Sequence, residues 1–337
     1  MANIAIRSPS KASGLLLTGL LALMAMAIGR WLPLLGGPVC GIVIGLALRN
    51  TLGVKAHYLP GLQFTSTKVL QWSIIGLGFG LSLQQVARTG LDSLWVTSIS
   101  IMAAFLSAWI LAHWLGITPK LKMLIGMGTA ICGGSAIAAI SPIIKPKDHE
   151  VAFAITTIFI FNIVAVLIFP TMGHWLGMSD QGFGMWAGTA INDTSSVVAA
   201  GYSYSQAAGD YATIVKLTRA SLIIPICLGL IAIEAWKHKR SNEGNNGFHL
   251  VRIFPWFILW FVVASGINSL GLIPDFLQLP LRFMADFLIV MALTAIGLCS
   301  ELRGMASAGI RPILLGLGVW ISVAGSSLVV QSMMGAW

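Results

Sequence analysis

Four consecutive polar side chains, Asn192, Asp193, Thr194 and Ser195, stand in the middle of a hydrophobic stretch. An ionised carboxylate at bilayer depth costs a few kcal/mol or more, so an acid there is by default a functional candidate, holding a coupling cation or carrying a proton. The structural alternative is a buried ion pair. A second cluster, Thr129, Cys132, Gly133, Gly134 and Ser135, lies in another apolar stretch. Its glycines weaken helical continuity, and a helix that restarts after a break presents free N–H groups that favour an anion. Small residues also permit close helix packing in membranes. Packing alone needs no hydroxyl and thiol beside the glycines, so substrate binding is expected here and at Asn192, Thr194 and Ser195, with Asp193 as the ion-coupling residue. Lys216 and Arg219 are three residues apart, on one helical face. Their expected partners are Asp193, an anionic substrate, or lipid headgroups reached by snorkelling.

The two clusters are copies of one short sequence. GTAICGGSAIAA runs from Gly128 to Ala139 and GTAINDTSSVVA from Gly188 to Ala199, with Ser135 and Ser195 at the same offset. A fainter echo, Thr294, Ala295 and Ile296 followed by Ser300, adds those two polar residues to the expected binding set. Glycine, hydroxyl and amide groups at bilayer depth are tolerated where they are buried in protein or line a cavity.

Composition sets the class. Of 337 residues 57% are hydrophobic and 9% charged, with a mean hydropathy of +0.87, whereas soluble domains carry about 25% charged residues. An all-α polytopic membrane protein is expected, one transmembrane domain over residues 1–337. The four cysteines, Cys40, Cys132, Cys227 and Cys299, stand apart without zinc or disulfide spacing. No metal and no cofactor is expected beyond a coupling sodium ion or proton. The basic start before Leu15–Ile28 reads as a retained first helix rather than a cleaved signal, because further spans follow it.

Glycines, prolines and charges divide the chain into eleven expected spans: 14–30, 33–49, 69–86, 91–114, 121–144, 150–172, 183–205, 211–235, 252–271, 283–301 and 312–332. With the N-terminus inside, thirteen basic residues face the cytoplasm: Arg7, Lys11, Arg49, Lys55, Lys68, Lys120, Lys122, Lys237, Lys239, Arg240, Arg252, Arg303 and Arg311. Five face out: Arg30, Arg88, Lys145, Lys147 and Arg282. The positive-inside rule therefore favours a cytoplasmic N-terminus, and the net charge of +9 needs no nucleic acid to explain it. Lysines on both sides of 121–144 fit a re-entrant hairpin better than a crossing. A symmetry argument favours a full but interrupted span. With residues 1–32 as an extra helix, 33–173 and 182–333 form two five-helix repeats of opposite orientation, whose discontinuous helices, 121–144 and 283–301, cross at mid-membrane.

The run GTAINDTSSVVAAGYSYSQAAGDYATIVKLTR (Gly188 to Arg219), with GTAICGGSAIAAISP (Gly128 to Pro142), GLGFGLSL near Gly76 and ELRGMASAGIRPILLG from Glu301, resembles the bacterial YeiH-type sulfate exporter family over nearly the whole chain. The resemblance implies an inner-membrane transporter related to sodium/proton antiporters and bile-acid symporters. The expected function is secondary transport of a small anion, sulfate, sulfonate or a related species, coupled to protons or sodium, and no enzyme. An anion channel is the alternative; an intramembrane serine hydrolase at Ser135 would need a base, and His113 and His174 fall at span ends. Asp286 and Glu301, flanking span ten, are expected to be solvated. Membrane lipids are the other expected partner, tryptophans such as Trp256, Trp260 and Trp320 fit interfacial anchoring, and the oligomeric state is left open, a homodimer included.

Overall fold

A computed structural model describes residues 11–31, 36–238, 255–301 and 309–335, all helical or connecting, with no strand among them. In chain order the helices are α1 (Lys11–Trp31), α2 (Gly36–Thr51), α3 (Leu59–Phe64), α4 (Leu70–Gly78), α5 (Leu83–Trp114), α6 (Pro119–Ala130), α7 (Gly134–Ile144), α8 (Asp148–Trp175), α9 (Asp180–Ala190), α10 (Thr194–Tyr204), α11 (Gln206–Ser221), α12 (Ile223–His238), α13 (Trp256–Ser269), α14 (Asp275–Cys299) and α15 (Ile310–Met334). A π-helical turn at Thr65–Val69 joins α3 to α4. Six helical stretches are long and apolar enough to cross a bilayer: Lys11–Trp31, Leu83–Trp114, Asp148–Trp175, Gln206–Leu230, Phe276–Cys299 and Ile310–Met334. The chain is a polytopic membrane protein.

Two of the expected crossings are hairpins instead. α6 and α7 meet at Ile131–Gly133 and return to their starting level: Lys120 Nζ, at the start of α6, donates to the Lys145 carbonyl that ends α7 at 2.6 Å. Thr118 Oγ1 reaches Glu150 Oε1 at 2.5 Å, placing this base at the start of α8. α9 and α10 turn at Ile191–Asp193 in the same way. Ser205 Oγ donates to Asp180 Oδ1 at 2.6 Å, and the Tyr204 ring stacks on Phe183 with centroids 4.0 Å apart. His174, at the end of α8, stacks on Tyr204 at 4.1 Å. The two hairpins therefore enter from opposite ends of α8, a helix of 28 residues that is about 42 Å long. Their arms of 11 and 12 residues extend roughly 17 Å, half a bilayer, so the tips meet at mid-height.

This corrects the sequence expectation that 121–144 and 183–205 are full crossings, and also the register of the interruptions. Both breaks fall in the GTAI copies, in 121–144 and 183–205, whereas α14 runs unbroken through Thr294 to Cys299. The cause is local. Gly133 takes φ +65° and ψ −129°, a backbone region open essentially to glycine alone, and turns the first tip. The Thr294 hydroxyl instead bonds back to the Val290 carbonyl one turn earlier at 2.8 Å, and Ser300 does the same to Ile296 at 2.8 Å, so the echo has no glycine turn and its helix continues.

The helices form two packed groups. α14 lies along α2 and α4, with α1 and α13 beside them; α5, α15, α6, α8, α9, α10 and α11 pack together as the second group. Within the first, Gly45 and Gly297 let the α2 and α14 backbones touch: a Cβ on Gly297 would lie 2.4 Å from the Ile42 carbonyl oxygen. The groups meet where α10 packs on α2 and α14, and α13 on α5. The hairpin geometry makes a direct prediction. Single cysteines replacing Lys122 and Lys145 will react with an impermeant thiol reagent from the same membrane face, whereas reaction from opposite faces would restore the crossing.

Candidate functional site

The hairpin tips touch each other. A Cβ on Gly133 would lie 3.4 Å from Asp193 Cβ and 3.4 Å from Ile158 of α8. The Asp193 N–H donates to Asn162 Oδ1, also on α8, at 3.3 Å. Asp193 caps α10: its Oδ2 accepts from the Ser195 N–H at 3.1 Å and from the Ser195 hydroxyl. The N-terminus of α7 has no such cap. Its N-cap is Gly133, which has no side chain to cap with, and Ser135 is exposed.

Beside the tips lies a cavity of about 600 Å³ between the two helix groups. Gly134, Ser135, Asp193, Thr194 and Ser195 line it from the hairpins, Thr156, Phe159 and Asn162 from α8, and Ser66, Thr67, Gln71, Phe257, Ile296 and Ser300 from the facing group. At its rim Glu301 pairs with Arg49 at 3.0 Å. The structure thus brings Gly134, Ser135, Asp193, Thr194, Ser195 and Ser300 to one cavity and keeps others away from its wall. Thr129, Cys132 and Asn192 are buried at the hairpin tips, and Gly133 is packed against Asp193. Thr294 is buried against Gly41, with its hydroxyl bonded to its own helix. Asn192 is 1% exposed, and neither end of its amide has a partner among the described residues; the Thr129 hydroxyl is in the same state.

Lys216 and Arg219, both 0% exposed, find partners the sequence reading did not consider. Lys216 Nζ donates to the Ile131 carbonyl at 2.9 Å and to the Ile191 carbonyl at 2.8 Å. Arg219 donates from Nε to Ala130 at 2.6 Å, from Nη2 to Thr129 at 2.8 Å, and from Nη1 to the Thr189 carbonyl. Thr129 and Thr189 hold the second position of each GTAI copy, Ile131 and Ile191 the fourth, so each cation binds the same place in both copies. These carbonyls end α6 and α9, where unpaired C=O groups and the helix dipole concentrate negative charge. Of the expected partners, lipid is ruled out by this burial; the direct hydrogen bonds go to helix C-termini inside the protein, and Asp193 acts on Lys216 only through its charge.

Sequence reading missed three features. Asn162 is a lone amide in an apolar run and carries no pattern, yet it holds the Asp193 backbone. The π turn brings Ser66 and Thr67 to the cavity. A third group sits at the other end of α8: Asp210 accepts from Arg282 Nη2 at 2.8 Å and from the Tyr202 hydroxyl at 2.6 Å, joining α11 to α14. Arg282, expected in an outer loop, is in this pair, and Asp286, expected to be solvated, is half-buried beside it against a cavity of about 230 Å³. Glu301 is exposed but paired with Arg49.

The sequence profile described as Conserved hypothetical protein 698 matches residues 13–316. A UPF0324 membrane protein of Fusobacterium nucleatum is 41% identical over 97% of this chain and 99% of its own. Relatives of the same name from Streptococcus mutans and Streptococcus pyogenes serotype M18 are 42% and 44% identical, each over 97% of this chain and 98% of theirs. The chain belongs to the UPF0324 membrane protein family.

Proposed function

We propose that the protein is a secondary transporter of a small anion, sulfate, a sulfonate or a related species, across the bacterial inner membrane, with Asp193 as the coupling residue. One observation carries this reading: two half-membrane hairpins meet tip to tip, and the N-termini of α7 and α10 open together on a single cavity. Re-entrant segments of this kind are tolerated at membrane depth where they line a cavity, and the N–H groups at the start of α7, which lack the carboxylate cap that Asp193 gives α10, attract negative charge. The lining carries the carboxylates Asp193 and Glu301 and, among the described residues, no basic side chain. An anion entering near Ser135 therefore meets Asp193, and like charges that close disfavour joint ionisation. Anion binding and protonation of Asp193 are linked in consequence, and that linkage is what a proton-coupled carrier requires.

An inverted repeat underlies this plan, built from the hairpin and its following helix: α6–α7 with α8, and α9–α10 with α11. It supports a cytoplasmic N-terminus, because a re-entrant first hairpin moves Lys145 and Lys147 to the inner face and leaves only Arg30, Arg88 and Arg282 outside. A carrier is favoured over a channel because the cavity ends at touching tips. It is favoured over a hydrolase because no histidine is among the described cavity-lining residues near Ser135.

The test is a thermal-shift screen of the purified protein against sulfate, sulfite, thiosulfate, sulfonates and small carboxylates at two pH values. A ligand that binds only the folded state raises its apparent stability. At least one of these anions should do so, more strongly at the lower pH, and Ser135→Ala should weaken the response while leaving the unliganded melting temperature unchanged. No response to any anion at either pH, with stabilisation by cations instead, would overturn the substrate class.

A further inference from the structure

We infer that Lys216 and Arg219 are resident cations occupying the place that a coupling metal ion would take between the hairpin tips, so that sodium is excluded from the crossing. Five carbonyl oxygens from both tips converge on these two side chains, from Thr129, Ala130 and Ile131 on one side and Thr189 and Ile191 on the other. Backbone carbonyls at helix C-termini are the oxygen ligands a hard cation takes, at about 2.3–2.6 Å. A sodium ion on the Ile131 or Ile191 oxygen would come within roughly 5 Å of the Lys216 ammonium, in surroundings that screen little. Both cations are fully enclosed, and neither is hydrogen-bonded to a carboxylate among the described residues; the helix ends are their direct partners, with Asp193 acting on Lys216 only through its charge.

This deepens the transport reading and rests on it in one respect: with sodium kept out of the crossing, the coupling ion is the proton, taken up at Asp193. The titratable and charged groups around Asp193 are Cys132, Lys216 and Arg219 behind the tips, and Cys299 and Glu301 across the cavity. None of these adds a second carboxylate to the tips.

The experiment uses the full chain in detergent, without substrate, and compares melting in sodium chloride with melting in choline chloride at equal ionic strength. Wild type should melt at the same temperature in both. Lys216→Ala frees the Ile131 and Ile191 oxygens, so it should melt lower than wild type in choline and recover part of the loss in sodium, as expected for an ion that binds only the folded state. Should Lys216→Ala not yield folded protein, Lys216→Gln is compared in the same way, and the wild-type comparison stands by itself. Saturable sodium-specific stabilisation of wild type would overturn the inference. A folded Lys216 variant indifferent to sodium would also overturn it. Failure of every anion to bind wild type would count against the transport reading alone and leave the cation clamp intact.

Discussion

Arg219→Met should be among the most destabilising substitutions in the chain, lowering unfolding free energy by about 3 kcal/mol or more. The guanidinium donates to three buried carbonyls, and each of them would be left without a donor in a water-free interior. A buried polar group that loses its partner costs about 1–3 kcal/mol, and total stabilities are only about 5–15 kcal/mol. Methionine fills similar space, so the loss reports the hydrogen bonds rather than a cavity. Arg219→Lys keeps the charge but cannot fork toward Thr129, Ala130 and Thr189 together, and should fall between the two. The measurement is the apparent melting temperature in detergent, followed by size-exclusion chromatography. A monodisperse Arg219→Met protein melting within a degree or two of wild type would show that the tips hold together without the clamp.

Asp193→Asn should abolish gradient-driven accumulation while retaining exchange of bound anion. One pH unit is worth about 1.36 kcal/mol, the free energy of a tenfold concentration ratio, so an electroneutral one-proton symporter accumulates its anion about tenfold per unit of pH difference. The variant has no proton to exchange at this position, and its ratio should fall to about one. Asparagine is as good an N-cap as aspartate, so the bond from the Ser195 N–H survives and α10 stays ordered. Anion affinity, which rises as pH falls in wild type, should lose that dependence because the amide imitates the protonated acid. The assay is flux into proteoliposomes with and without an imposed pH gradient. Unchanged accumulation in Asp193→Asn would remove Asp193 from the coupling.

The class of the molecule and the position of its polar centre are legible in the sequence, because apolar runs and their rare polar interruptions are local properties. The hairpins were also written there. Lys120 and Lys122 before the fifth stretch and Lys145 and Lys147 after it mark two ends on one face, and the GTAI copies mark both turns. Five-helix symmetry pairs the first break with Thr294, whereas sequence likeness pairs it with the copy at Gly188, and the second break lies in that copy. The different turns of the two tips follow from one local difference: Gly133 supplies the positive φ in the first, whereas Asp193 stands at the same offset in the second, where Ile191 and Asp193 turn in extended conformation. The partners of Lys216 and Arg219 lie beyond sequence reading for another reason, since backbone carbonyls leave no residue-type signature. The Asp210–Arg282 pair joins residues 72 positions apart with no shared motif.

The clamp also sets an order of events in biogenesis. Arg219 closes on Thr129 across 90 residues, and Lys216 on Ile131 across 85. At synthesis rates of about 5–20 residues per second, the first hairpin is complete roughly 4–15 seconds before the side chains that secure it have been made. Through that interval its tip carbonyls have no lasting donors, and the second hairpin, which needs the same two side chains, arrives in time to compete for them. The nascent chain therefore cannot mature one hairpin at a time: both tips are fastened in a single late step, when α11 enters the membrane.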